Sequence, residues 1–194
     1  PYASGIEVRA RVPAGARLQA WNEIPSRAAG HTEVIFQLGD LAQGATADLV
    51  LNAVLPEAAE GSTLEIPLEV TWQDVATGVR ETHESVLAYR YARGQENSAQ
   101  PRDEAVALRV IEVWAARVRT AALERNRTGD YAGARAVVER EIAFMRRYAE
   151  GLPAALLLIE ALQPFAQEVD AVMAAPARQA YFAAAYSTQR MRSR

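Results

Sequence analysis

The sequence predicts an α+β chain with segregated parts: an antiparallel, immunoglobulin-like β-sandwich over residues 1–94, a linker over 95–100 and a helical bundle of about four helices over 101–194. Three observations predict it. Apolar residues recur at every second position up to about residue 92 and with helical spacing afterwards. A polar stretch, RGQENSAQ (93–100), falls at the change. The charge changes there too, with 7 Arg against 12 Asp+Glu in residues 1–95 (net −5) and 14 Arg against 12 Asp+Glu in residues 96–194 (net +2).

Six alternating runs are legible in the first part. Ile6, Val8, Ala10 and Val12 form the first, and Ala16, Leu18 and Ala20 the second, after the Pro13-Ala14-Gly15 turn. Thr32, Val34, Phe36 and Leu38 form the third, and Ala47, Leu49, Leu51, Ala53 and Leu55 the fourth. Leu64, Ile66, Leu68, Val70 and Trp72 form the fifth, and Val79 to Tyr91 the sixth, paired to the fifth across Asp74–Gly78. Turn-formers such as Gly44, Pro56, Gly61-Ser62 and Gly78 bound them, and short strands at this spacing without intervening helices indicate a sandwich. In the sixth run Val86 and Ala88 alternate with Leu87, Tyr89 and Tyr91, so both of its faces are expected to be covered.

Pro101 is placed for a first helical turn. Leu108, Ile111, Ala115, Val118 and Ala122 share one helical stripe with Trp114 beside it. Gly129 then separates this helix from a second, capped by Asp130 and carrying Ala134, Val137, Val138, Ile142 and Met145. A third helix is expected from Pro153 to Ala174 with a kink at Pro164, and a fourth from Ala177 to about Met191.

Composition restricts the chemistry. There is no cysteine, hence no disulfide or thiolate nucleophile. All 21 basic residues are arginine, which reads as codon bias before recognition chemistry. His31 and His83 are the only histidines and have no metal-ligand spacing. Glu65 and Glu69 share a face because strands alternate, and no serine has a GxSxG setting. The apolar run Leu152–Ile159 is far shorter than the roughly 20 residues of a membrane span. No signal peptide is legible, but the first residue is Pro1 rather than methionine, so the ends do not give the compartment; the cytoplasm is a working expectation only. Arg190, Arg192 and Arg194 read as a solvated end rather than a nucleic-acid contact.

Four stretches in order carry a resemblance: LGDLAQGATADLVLNAVLP (38–56), WQDVATGVRET (72–82), the TGDYAGARA junction (128–136) and the terminal AYSTQRMRSR. Together they resemble the C-terminal region of bacterial von Willebrand factor A-domain proteins. That family's A domain holds a metal on a DxSxS motif; no DxSxS occurs here, so the resemblance carries over no metal residue and no cofactor. It implies a non-enzymatic accessory module whose partner is a protein, either an upstream A domain or another chain. The alternative is a free-standing protein that takes a peptide or helix into a groove of the bundle. Trp114, Tyr131, Arg190 and Arg192 are the candidate interaction residues.

Overall fold

The computed structural model describes residues 2–190 and the backbone of residues 192–193. It has the mixed composition expected, arranged as two compact units: one built from residues up to Pro101 with the short strand at 192–193, the other spanning Arg102–Arg190.

The first unit contains β1 (Ala3–Arg11), β2 (Arg17–Ala20), β3 (Ser26–Ala28), β4 (Glu33–Leu41), β5 (Thr46–Ala47), β6 (Leu51–Val54), β7 (Thr63–Asp74), β8 (Arg80–Arg90), helix α1 (Gly94–Ala99) and, at the end of the chain, β9 (Arg192–Ser193). Five strands make one antiparallel sheet in the order β3-β4-β1-β7-β8, and β2 pairs separately with β6. Alternation explains the core. Val8 lies between Phe36 and Val70, and Ala10 between Val34 and Leu68, so one face of the sheet is apolar. Val8, Ala10, Phe36 and Ile66 are buried there, with Leu18, Ala20 and Leu51 of the β2–β6 pair packed against them. Complete burial of a side chain such as Phe36 contributes about 1.5–3 kcal/mol.

The opposite face is charged and largely pairs with itself. Arg9 bridges Glu33 at 3.0 Å and Glu69 at 3.6 Å, Arg11 lies 3.5 Å from Glu33, and Arg27 3.6 Å from Glu7. These pairs are partly exposed and contribute little to stability individually. They also fix which face is wet, because a one-residue slip of β1 would bury the arginines.

The fourth alternating run is interrupted. Its ends form β5 and β6, while the residues between them bond to Asn22, which is buried. Asn22 Nδ2 donates to the Asp48 carbonyl at 2.8 Å, and the Val50 N–H donates to Asn22 Oδ1 at 3.1 Å. A side chain thus replaces a ladder partner. The sixth run forms β8 and pairs with β7 along its whole length, as its turn predicts. Its faces differ from expectation: Leu87 and Tyr89 are half-buried, while Val86 and Ala88 are exposed. The polar stretch after β8 carries α1, in which no residue is buried.

The second unit comprises α2 (Glu104–Arg127), α3 (Tyr131–Tyr148), α4 (Pro153–Glu160), α5 (Gln163–Glu168) and α6 (Ala175–Arg190). Ile111, Val118 and Ala122 of α2 pack with Val138, Ile142 and Met145 of α3 and with Ile159, Leu162 and Phe165 beyond them. The expected third helix is two short ones. Leu162 N–H bonds the Ile159 carbonyl at 3.0 Å, a tightened last turn, and Pro164, which has no N–H to donate, occupies the first turn of α5.

Candidate functional site

Three aspartates, one from each of three sequence motifs, hold the joints of the fold. In the LGDL motif the Asp40 carboxylate accepts the Gly5 N–H at 2.9 Å. Gly5 has φ +59° at a register shift where β1 leaves regular pairing, a left-handed conformation that costs a glycine nothing. The carboxylate satisfies an amide that the irregular ladder leaves free.

The second joint is the β7–β8 turn. Asp74 Oδ1 accepts from the Ala76 N–H at 2.9 Å, the Thr77 N–H at 2.8 Å and the Thr77 hydroxyl at 3.0 Å. The Thr77 backbone N–H, foremost, and its hydroxyl hold the Asp74 carboxyl below the ordinary range, because each bond favours the ionised form.

The third joint is the α2–α3 hairpin. Gly129, at φ +85°, reverses the chain after α2, and Asp130 caps α3 by accepting the Gly133 N–H at 3.0 Å. The Arg125 guanidinium, 2.7 Å from the same carboxylate, is the main cause of its lowered pKa. A Cβ at Gly133 would meet the Asp130 carboxylate, which would then have to shift from its present position.

The four candidate interaction residues are not brought together. Trp114 lies midway along α2, where its indole N–H donates to Glu141 of α3 at 3.0 Å and its ring meets Tyr148 edge-on at a centroid distance of 6.2 Å. Arg102 lies 4.6 Å above the Tyr148 ring. This line of side chains fastens α2 to α3. Tyr131 stands at the hairpin, about 20 Å of helix from Trp114 at ~1.5 Å per residue. Arg190 ends α6 with its guanidinium 5.1 Å over the Tyr186 ring. The Arg192 side chain lies outside the described residues, and so does Arg194; the backbone of β9 pairs antiparallel with β5, Arg192 opposite Ala47.

Among the described residues, no group of three or more Asp, Glu or His is placed to hold a metal ion. No helix among them is long and apolar enough to cross a membrane. A groove of about 730 Å³ in the first unit is lined by Leu55, Tyr89, Tyr91, Glu96 and Asn97, and the Tyr91 hydroxyl on its wall donates to the Pro56 carbonyl at 2.7 Å. The polar groups that sequence reasoning missed as structural keys are Asn22 and Asn126. Both are buried; Asn22 belongs to no apolar pattern, whereas Asn126 stands one turn beyond Ala122 on the α2 stripe, a polar residue at a core-facing position, which is the signal that could have found it.

No protein-family model matches the chain, and no curated protein does. Among solved structures, the chain is similar to the ArnB paralog VWA2 from Sulfolobus acidocaldarius, at 12% identity and a TM-score of 0.48 over 97% of this chain. The chain spans 42% of the length of that structure.

Proposed function

We propose that this chain is a non-enzymatic accessory module in which an immunoglobulin-like sandwich and a helical bundle support or orient a von Willebrand factor A domain through protein–protein contact. The observation that carries the proposal is where the motif residues work. Asp40, Asp74 and Asp130, one carboxylate from each of three of the motifs, each accept backbone N–H groups where the chain turns or leaves regular pairing. Two of them, Asp74 and Asp130, are held ionised, which suits a fixed acceptor and not a proton-transfer group working near neutral pH. Packing of Leu18, Ala20 and Leu51 over Val8 and Phe36 supports the two-layer arrangement of the sandwich. In this reading the module holds no cofactor.

Calorimetric titration of a separately produced von Willebrand factor A domain against this chain tests the proposal. Saturable binding, or a changed affinity of the A domain for its own ligand in the presence of the chain, is expected. Neither effect at the highest attainable concentration overturns it.

A further inference from the structure

Outer strands usually carry a device that prevents further pairing, such as proline, a bulge, a short length or inward-pointing charge. At one end of the five-stranded sheet β3 is short, three residues. At the other end β8 runs for 11 residues without proline and pairs with β7 in unbroken register. Its first half has the polar Glu81 and His83 on the face that carries Leu87 and Tyr89, whereas its second half, Val86-Leu87-Ala88-Tyr89, is apolar on both faces. Val86 is 51% exposed.

The charges flanking that half are self-complementary. Glu84 stands directly opposite Glu69 of β7, an unfavourable like-charge pair, and among the described residues Glu84 has no cationic partner within 4.0 Å. Arg90, six residues on and on the same face, reaches Glu96 only at 3.7 Å, with both side chains mostly exposed.

We propose that β8 is a self-association edge on which a second copy of this chain pairs antiparallel about Leu87, joining two five-stranded sheets into one. Residues of one strand that face each other across a two-fold axis have numbers of constant sum. Centring on Leu87 sets Glu84 opposite Arg90 of the second copy, Ser85 opposite Tyr89, Val86 opposite Ala88 and Leu87 opposite itself. The Glu84–Arg90 pair occurs twice by symmetry, and each Glu84 gains an ion-pair partner, whereas Arg9 and Arg11, which line one groove with it, pair with Glu69 and Glu33. The isologous contact closes at two copies, so it does not propagate into fibres. A register centred on Thr82 would also pair Arg80 with Glu84, but over five residues of β8 and without an apolar pair.

Analytical ultracentrifugation and native mass spectrometry of the full chain and of Glu84→Arg and Arg90→Glu variants test the pairing. Both side chains are exposed, and unchanged circular dichroism confirms folding of the variants. The unmodified chain is expected to dimerise, and each single variant to dissociate at least about tenfold more readily, because two attractive pairs become repulsive. An equimolar mixture of the two variants is expected to form a heterodimer. In it the arginine introduced in one variant faces the glutamate introduced in the other, and the native Arg90 of the first faces the native Glu84 of the second. A monomeric unmodified chain at millimolar concentration, an assembly larger than two, an Arg90→Glu variant that still dimerises, or no heterodimer in the mixture each overturns the proposal.

Discussion

Asn126, near the end of α2, is 2% exposed and ties the helical unit together from within. Its side-chain amide donates to the Val169 carbonyl at 2.9 Å and to the Ala171 carbonyl at 2.6 Å, just past the end of α5. Carbonyls at a helix end have no partner along the helix, so one amide of α2 acts as a cap for α5. Asn126→Ala leaves both carbonyls without that donor. At about 1–1.5 kcal/mol for each hydrogen bond, plus a small cavity, the loss is roughly 2–4 kcal/mol. Asn126→Leu keeps the branched outline but adds volume, so it should cost at least as much as the two bonds alone. Asn126→Asp is expected to be worst of the three, because an acceptor would then face two acceptors in a buried site. Urea unfolding followed by circular dichroism at constant m-value reads these differences. Losses below about 0.5 kcal/mol for both Ala and Leu, or an Asp variant as stable as the parent, would refute the capping role.

Phe36 is fully buried on the apolar face of the sheet, and Phe36→Ala should lower stability by about 3–5 kcal/mol in the same assay. Gly133→Ala should push the Asp130 carboxylate off its cap, and an NMR titration should show its pKa returning towards the ordinary carboxylate value. Asp74 and Asp130 both have folded pKa values below their unfolded ones. Their contribution is therefore present above the ordinary carboxylate range and disappears as pH falls through the lowered folded values, so thermal stability should decline on acidification from about pH 4 downwards. The decline should be smaller in a variant lacking either aspartate.

Much of the architecture was legible because side-chain period reports local geometry. Alternation in Ile6–Val12 and Leu64–Trp72 marks β1 and β7, and the stripe from Leu108 to Ala122 marks α2, since each pattern needs only neighbours along the chain. What escaped depends on partners far away in sequence. β3 has three exposed residues and no pattern of its own; it exists because Ser26–Ala28 pair with Val34–Phe36. The break between β5 and β6 follows from the Asn22 side chain, 26 residues before Asp48. The end of α5 at Glu168, short of the expected Ala174, coincides with carbonyls held by Asn126. Trp114 stood out as an aromatic beside the stripe, but its bond to Glu141 spans 27 residues across the hairpin and becomes visible only when the helices are placed. Pro164 was expected to kink a continuous helix, and the chain instead restarts there, with Pro164 in the first turn of α5.

A structural role for the motif carboxylates underlies both the fold and the proposed function. Thermal unfolding of Asp40→Ala, Asp74→Ala and Asp130→Ala, each in the full chain at neutral pH, probes that role without intermediates. A lower midpoint is expected for every one of the three, with secondary structure retained at low temperature. Unchanged midpoints in all three would contradict it and would return those residues to the pool available for chemistry.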